Sequence, residues 1–308
     1  MKTAGFRTDL AIEICEDLGR NKSSIPGIEC IKAKKGRLNL EEVIVSSLEG
    51  EDLCGKPMGR YVTLGMGKIW MDPGDTLKEK VYNFRDVLTE NLPKIKKNAS
   101  VLIAGLGNEN ITADAIGPVA VKNLIVTRHI RKERPKIFES LSLSDISAIV
   151  PGVLGQTGIE SADVVESVVE KVKPDLLIVI DALASRDLSR LVTTVQISDS
   201  GIRPGSGVGN ERPGLLPEKL GIPVISIGVP TVVDAATLAA DAIAGFTNKE
   251  IDSEKIRKDW SLSGLNFFVT PKETDQIIGV MGAFIGYGLN LALNPHLSYE
   301  DMLSLVGG

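Results

Sequence analysis

The chain has 308 residues, of which 43% are hydrophobic; this share fills a sizeable core and excludes a disordered protein. Lysine and arginine total 35 against 40 aspartates and glutamates, so the net charge of −5 argues against a dedicated nucleic-acid-binding protein. Aromatic residues make up only 4% and there are 31 glycines, a balance that favours helix-covered parallel sheets over an aromatic-rich β-sandwich.

The N-terminal part of the chain has no apolar run typical of a secretory signal, and it carries Cys15, Cys30 and Cys54. An odd number of cysteines without paired spacing argues against a disulfide scaffold and fits a reducing cytosol. A short polar arm precedes a weakly amphipathic segment, three predicted strands and a predicted helix with Asp75 as its N-cap. These elements are the segment 10–18, the strands 28–31, 42–47 and 63–71, and the helix 75–92.

From residue 99 onward, short apolar runs alternate with segments of helical spacing. This alternation predicts an α/β fold, with a central parallel or mixed sheet flanked by helices and additional β-rich elements at the N-terminus. Residues 277–293 are the most lipid-like stretch, but four glycines interrupt them and a buried core helix is the better interpretation. The predicted strands are 101–104, 136–141, 176–180, 193–197 and 224–229, and the predicted helices are 114–126, 160–172, 231–244 and 273–293.

Gly105 and Gly107 follow a predicted strand and precede a predicted helix, as in a dinucleotide-binding loop. Asn110 stands where that motif has its third glycine, and no acidic residue ends a following strand at the required distance. We therefore interpret the glycines as a tight turn that aims the following loop into a site.

Two aspartates lie at the ends of predicted strands, the edge at which open parallel sheets gather their chemistry. Asp114 follows the glycine loop, and Asp181 comes directly after the apolar run 176–180. Each alone fits a helix cap or a first-turn residue, but two carboxylates at one sheet edge favour a catalytic site. Two close carboxylates share a proton, so one can accept a proton from water while the other protonates a leaving amide.

Other chemistries receive weaker support from the sequence. His129 and His296 are the only histidines, which leaves little for a zinc site or a serine–histidine triad. The cysteines have no histidine nearby in the sequence, so a cysteine nucleophile is not expected.

The motifs around these aspartates resemble the germination proteases of endospore-forming bacteria, endopeptidases that degrade small acid-soluble spore proteins. The resemblance covers nearly the whole chain. The matching segments are Arg7-Thr8-Asp9-Leu10-Ala11, Gly105-Leu106-Gly107-Asn108, Ala113-Asp114-Ala115-Ile116-Gly117-Pro118, Pro151-Gly152-Val153-Leu154-Gly155-Gln156-Thr157-Gly158, Ile180-Asp181-Ala182-Leu183-Ala184-Ser185-Arg186, Gly205-Ser206-Gly207-Val208-Gly209-Asn210 and Gly228-Val229-Pro230-Thr231-Val232-Val233-Asp234.

The resemblance implies that Asp114 and Asp181 are the catalytic pair and that the fold is similar to that of the hydrogenase-maturation endopeptidases. It also implies a homotetramer, spore proteins as substrates and a cytoplasmic location in the forespore or spore core. The metal-binding histidine of the maturation enzymes has no evident counterpart here, so no metal or cofactor is expected. Neither a nucleic acid nor a membrane is an expected partner.

The family's cleavage pattern is an acidic residue, a bulky apolar residue and alanine, and Asp9-Leu10-Ala11 repeats it within this chain. The polar, terminal arm is expected to be mobile, so we predict a propeptide of residues 1–9, released by self-cleavage between Asp9 and Leu10. The same residues also fit the start of a helix with an aspartate cap. Acidification is expected to promote the cleavage, because it protonates one carboxylate of the pair and Asp9.

Acidic substrates require cationic receptors, for which Arg186, Arg203 and Arg212 are the candidates, although solvated charges are their ordinary interpretation. Residues 201–214 contain five glycines and two prolines and are expected to form a substrate lip, whereas 231–234 fits a helix cap equally well.

We expect one peptidase domain at residues 10–308. Its predicted parts are the N-terminal elements at 10–98, the catalytic sheet core at 99–245, and a linking segment with a C-terminal helix at 246–308. Three alternatives stay open: a metal-assisted maturation protease, a nucleoside-binding or phosphorylase-like module, and a non-catalytic spore structural protein.

Overall fold

The protein is described by a computed structural model that covers residues 7–19, 25–94, 99–203, 213–247, 251–262 and 267–306. Nine strands of these residues form one mixed sheet. They are β1 (Ile28–Lys35), β2 (Leu38–Val45), β3 (Gly59–Gly65), β4 (Ser100–Gly105), β5 (Asp145–Ile149), β6 (Leu176–Ser185), β7 (Thr194–Ser198), β8 (Val224–Asp234) and β9 (Phe268–Val269).

The sheet has two halves of opposite character. Its order is β1-β2-β3-β7-β8-β6-β4-β5, and β9 pairs with β8 outside this path. Strands β5, β4, β6 and β8 are parallel to one another, whereas β1, β2, β3 and β7 are joined by antiparallel pairing that continues to β8. The predicted fold class, a mixed central sheet with β-rich N-terminal elements, is therefore confirmed.

Helices cover the faces of this sheet. One face packs against α3, α4 and α12, and the other packs against α8. The helices are α1 (Ala11–Gly19), α2 (Leu48–Cys54), α3 (Gly74–Asn91), α4 (Ile116–Lys122), α5 (Arg128–Glu133), α6 (Pro135–Ser140), α7 (Leu154–Thr157), α8 (Ser161–Val172), α9 (Pro217–Leu220), α10 (Ala235–Thr247), α11 (Ser253–Leu262), α12 (Thr274–Leu293) and α13 (Tyr299–Val306).

Alternate residues of the parallel strands fill two apolar clusters, one on each face. In β6, Ile178 and Ile180 pack toward α3, α4 and α12, while Leu177 and Val179 pack toward α8. Strands buried on both faces have continuous apolar runs, which is why their positions were predictable from the sequence. A third cluster, which we call the N-terminal cluster, joins α1 to β2, β3 and the end of β6.

Helix α12 is the predicted core helix. Among the described residues it is the one helix long and apolar enough to cross a membrane, but 67% of its most apolar 18-residue window is buried inside the protein. Its glycines serve close packing, because a Cβ atom at Gly282 or Gly286 would collide with Val119 or Asn123 of the α4 region.

Several predicted elements are wrong. The strand predicted over 136–141 is wrong, because Pro135 begins a helix, α6, that ends at Ser140, and the strand follows at Asp145–Ile149. The strand predicted over 63–71 ends at Gly65, and Ile69–Met71 is a 3₁₀ turn. Helix α3 has Pro73 at its N-cap, so Asp75 lies in the first turn instead.

The cysteines also differ from the expectation. Cys15 of α1 and Cys30 of β1 are joined as a disulfide, and Cys54 is a buried free thiol. Sequence spacing did not reveal the pair, because the two cysteines are 15 residues apart and meet only when α1 packs against the β1–β2 hairpin.

Candidate active site

A cavity of about 350 Å³ lies where the N-terminal elements meet the parallel half of the sheet. This volume suits a short stretch of peptide or a small molecule. The lining residues are Arg7, Thr8, Asp9, Ile14, Asp17, Leu18, Leu53, Cys54, Gly55, Lys56, Pro57, Tyr61, Asp181, Ala182, Leu183, Gln196, Ser198, Ser200, Gly201, Ile202, Arg203, Leu216, Ser226 and Gly228.

Asp181 lines this cavity and is only 5% exposed. The predicted strand stops at Asp181, but β6 continues to Ser185 because it remains paired with β8 beyond this point. Asp181 lies opposite Gly228, where a Cβ atom would come within 2.3 Å of the Leu183 side chain. The Ala182 backbone N–H donates to Asp181 Oδ1 at 2.9 Å.

Asp114 ends a 3₁₀ turn, Thr112–Asp114, behind the glycine loop. The Asn108 N–H donates to Asp114 Oδ2 at 2.8 Å. Gly107 has a φ of +111°, and a Cβ atom there would lie 1.9 Å from the Asp114 carbonyl oxygen. The tight turn predicted from the glycines is therefore present, and it holds Asp114 in place.

Backbone contacts bring the two aspartates to the same edge of the sheet. The Leu106 N–H donates to the carbonyl oxygen of Ile180, the residue before Asp181, at 2.8 Å. The hydroxyl of Thr231, in β8, donates a hydrogen bond to the Ala113 carbonyl oxygen at 2.6 Å. Asp114 nevertheless is not among the residues that line the cavity, so Asp181 alone of the predicted pair faces it.

The arm ahead of α1 is packed into the protein where the structure describes it, from Arg7 onward. Asp9 is 8% exposed and Leu10 is fully buried in the N-terminal cluster, which corrects the predicted mobility of these residues. The Asp9 N–H donates to the Ala184 carbonyl oxygen at 2.8 Å, and the Ala184 N–H donates to Asp9 Oδ2 at 2.9 Å. The N–H and C=O groups of a strand residue point to the same side of the strand, so Ala184 binds Asp9 through both. The arm therefore lies beside β6, beyond the point where the pairing of β6 with β4 ends.

Two residues that the sequence analysis did not single out hold the arm at the predicted cleavage position. Gln196 of β7 donates from Nε2 to the Asp9 carbonyl oxygen at 3.2 Å and accepts from the Ala11 N–H at 2.8 Å. Lys56 Nζ lies 4.0 Å from Asp9 Oδ1. A polar glutamine inside the apolar run of β7 was the available signal for Gln196, but no sequence pattern pointed to Lys56.

Glu13 joins the arm to the turn after β6. Its buried carboxylate accepts from the backbone N–H groups of Arg186 (2.7 Å) and Asp187 (3.0 Å) and from the Thr8 hydroxyl. Arg190 lies 3.9 Å away. Burial raises the pKa of Glu13 above its ordinary value, although these donors and Arg190 oppose the shift.

The three predicted arginines have different surroundings. Arg186 forms ion pairs with Asp17 of α1 (3.3 Å) and Asp241 of α10 (2.9 Å). Arg203 lines the cavity, whereas Arg212 and the motif at 205–210 lie outside the described residues.

The remaining polar groups near the site serve structure. Asp234 accepts from the Ala236 N–H at 3.3 Å and from the Thr237 hydroxyl at 3.1 Å, so it caps the start of α10. Arg257 Nε also donates to its carboxylate at 2.8 Å. Burial raises the pKa of the Cys54 thiol, which leaves it a poor nucleophile. Within the part of the chain that the structure describes, no group of three or more His, Cys, Asp or Glu side chains suits a metal ion.

The cavity thus combines a buried carboxylate from a strand of the parallel half with a stretch of the chain's own arm that is hydrogen-bonded to that strand at Ala184. A carboxylate in this position can act as a general acid or base on a neighbouring peptide bond, which is the chemistry that a peptidase uses.

Comparison with known proteins gives the family. The germination protease family model matches residues 7–259, and the chain belongs to that family. It is 41% identical to the germination protease of Caldanaerobacter subterraneus subsp. tengcongensis, with 98% of each chain covered. It is 42% identical to that of Clostridium perfringens, covering 96% of this chain and 97% of the relative. It is 38% identical to the germination protease of Bacillus subtilis, covering 96% of this chain and 95% of the relative.

Among solved structures, the chain is similar to a [NiFe] hydrogenase maturation protease, HycI, from Thermococcus kodakarensis KOD1. The TM-score is 0.35 at 16% identity, and the match covers 66% of this chain and 98% of that one.

Proposed function

We propose that this protease begins the degradation of small acid-soluble spore proteins during germination, and that it cleaves after an acidic residue that precedes a bulky apolar residue and alanine. Membership of the germination protease family supports a protease that acts in spores. The observation that supports the proposed site most directly is that Asp181, a buried carboxylate, lines the same cavity as the chain's own Asp9.

Asp114 and Asp181 divide the acid–base work in this proposal. The ionised carboxylate takes a proton from water while the water oxygen bonds to the carbonyl carbon of the peptide. The protonated carboxyl group then gives its proton to the departing nitrogen as the C–N bond breaks. The products are a new carboxyl group and a new amine, and proton exchange with solvent restores the pair.

The proposal includes a zymogen that removes residues 1–9. The bond between Asp9 and Leu10 lies beside the cavity, because Asp9 lines it and Leu10 packs in the adjoining N-terminal cluster. This closeness supports self-cleavage at that bond. The packing also supports a precursor that is inactive on other proteins, since the arm occupies space that a substrate would need.

A homotetramer in the spore core is also part of the proposal. Phe246 at the end of α10 and Leu262 at the end of α11 are 92% and 88% exposed, and large apolar side chains on neighbouring helices favour contact with another subunit. Light scattering on the purified chain is expected to give four copies; a monomer at assay concentration contradicts this part.

One experiment tests the central proposal. The purified full chain is incubated at mildly acidic pH with a small acid-soluble spore protein, with and without a chelator, and the new ends are identified by mass spectrometry. We expect cuts after acidic residues in the substrate, Leu10 as the new N-terminus of the enzyme, and no effect of the chelator. An uncut substrate refutes the proposed function, whereas cleavage that a chelator abolishes supports the metal-assisted alternative.

A further inference from the structure

The Gln196 side chain spans the peptide bond between Asp9 and Leu10. Its Nε2 donates to the Asp9 carbonyl oxygen, and its Oε1 accepts from the Ala11 N–H on the other side of that bond. Gln196 is 8% exposed and lines the same cavity as Asp181. Its neighbours in β7, Val195 and Ile197, pack into the opposite face of the sheet, so the strand alternation turns Gln196 toward the arm.

Only a side chain with both a donor and an acceptor can make these two contacts at once, and the primary amide has both. A donor at the carbonyl oxygen of a bond being hydrolysed gains strength as negative charge develops there. The acceptor holds the N–H of Ala11, the first residue of α1, and so fixes the start of that helix relative to the bond. The Gln196 amide therefore binds the arm at two points, the Asp9 carbonyl oxygen and the Ala11 N–H.

The acidic side chain of the arm has its own receptor. Asp9 Oδ2 accepts from the Ala184 N–H at 2.9 Å, and Oδ1 lies 4.0 Å from Lys56 Nζ. The Lys56 and Asp9 side chains are 16% and 11% exposed, so their attraction is less screened by water than a surface pair. Leu10 is fully buried in the N-terminal cluster with Tyr61 and Leu183.

We infer that residues 8–9 lie in the site as the part of a substrate peptide before the cut does, and that the groups holding them select and orient every substrate. Gln196 binds the carbonyl oxygen of the bond that is cut, and Lys56 and the Ala184 N–H bind the acidic side chain before it. Leu10 keeps its place in the N-terminal cluster, because it remains joined to α1 after the cut. This inference rests on the proposed function. It assigns recognition of the acidic residue to Lys56, because Arg186 is engaged with Asp17 and Asp241.

Self-cleavage of the full chain isolates the acid receptor, because the arm is already bound and no binding step intervenes. Lys56→Met is expected to slow cleavage after Asp9 about tenfold. In the Asp9→Asn background, the same substitution is expected to have no effect. Lys56→Arg keeps the charge and should retain most of the rate. Lys258→Met is the matched control, since Lys258 is 69% exposed and pairs with Glu254 on its own helix, α11.

Gln196 is tested through its donor. Gln196→Glu keeps the shape and the acceptor but removes the N–H, and Gln196→Met removes both. Each is expected to lower the rate of self-cleavage, and kcat on a spore-protein peptide, by about 10² to 10³, with a much smaller change in KM. A purely structural role would instead shift the urea unfolding midpoint and leave kcat per folded molecule unchanged.

The outcomes distinguish a failure of the proposed function from a failure of the inference about Gln196 and Lys56. A wild-type chain that cuts neither itself nor spore proteins refutes the proposed function and the inference together. If the wild-type chain cuts, two results refute the inference alone: Lys56→Met slows self-cleavage equally with and without the Asp9→Asn substitution, or folded Gln196→Glu has the wild-type kcat. Should Gln196→Met fail to fold, the isosteric Gln196→Glu decides the question.

Discussion

The two halves of the sheet are stabilised in different ways. In the parallel half, β4 is buried along its whole length and β6 and β8 almost so, with apolar clusters on both faces. In the antiparallel half, β1 is mostly exposed. Ion pairs between charged side chains link this half to its neighbouring elements. Arg190 illustrates this, because it pairs with Glu16 of α1 and Glu41 of β2, each at 2.7 Å.

The candidate site lies at the junction of these halves and takes residues from both. Asp181 belongs to the rigid parallel half, whereas Asp9 and Lys56 belong to the N-terminal half with its polar and ionic contacts. An apolar core resists movement, but ion pairs respond to pH and salt. We therefore expect pH and salt to affect the contact between Lys56 and Asp9 more than the strand that carries Asp181.

The largest expected effect tests whether the chemistry belongs to the parallel half. Asp114→Asn and Asp181→Asn should each lower spore-protein cleavage by at least about 10³-fold, because each removes one member of the proton-transferring pair. Circular dichroism and the oligomeric state should not change. Near-normal turnover of either variant would exclude that aspartate from the pair.

The disulfide gives the sharpest test of the antiparallel half. Cys15 and Cys30 close a loop of 15 residues, and the bond is expected to add about 3 kcal/mol to the free energy of unfolding. Cys30→Ser should remove this contribution, measured by urea unfolding without reductant. Alkylation of the unfolded, unreduced wild-type chain should modify Cys54 alone. Modification of all three thiols would instead support the original expectation from the sequence.

The same contrast explains what the sequence could predict. The run Leu177-Ile178-Val179-Ile180 is apolar throughout, because both faces of β6 are covered, so that strand and the aspartate after it were recognisable. The continuation of β6 to Ser185 was missed because an acidic residue normally ends such a run. The roles of Lys56 and Gln196 depend on β7 and the end of α2 meeting the arm, a long-range contact with no local pattern.

Gly107 packs against Asp114, and its substitution tests how tightly the parallel half holds this aspartate. Gly107→Ala forces a side chain into a φ of +111° and against the Asp114 carbonyl oxygen. We expect a loss of about 1 to 3 kcal/mol in the free energy of unfolding. Cleavage per folded molecule should also fall, since Asp114 must move.

Gly221→Ala is the matched control for Gly107, because Gly221 has a φ of +67° but nothing within 4 Å of the added Cβ. If both substitutions reduce cleavage per folded molecule equally, the close contact with Asp114 is not what matters.

The smallest expected effect concerns Glu13 and the question whether its protonation loosens the arm in acid. Burial raises the pKa of Glu13, so the folded protein binds this proton more tightly than the unfolded chain. The stability contributed by Glu13 is therefore greatest below its ordinary value of 4.5 and decreases as the pH rises through the raised value. Acid thus favours the packed arm at this residue, so we expect the acid promotion of self-cleavage to come from Asp9 and the proposed catalytic pair instead.

Glu13→Gln tests this sign. Measured by urea titration, the free energy of unfolding of the wild type minus that of the variant should decrease between pH 4.5 and neutral pH. Glu16→Gln is the control on the same helix, because the Glu16 side chain is 42% exposed and pairs with Arg190 at the surface of α1. Self-cleavage of Glu13→Gln should remain faster in acid. A variant that cleaves itself equally fast at pH 5 and pH 7 would make Glu13 the trigger after all, because protonation of Glu13 would then be the only step that acid supplies.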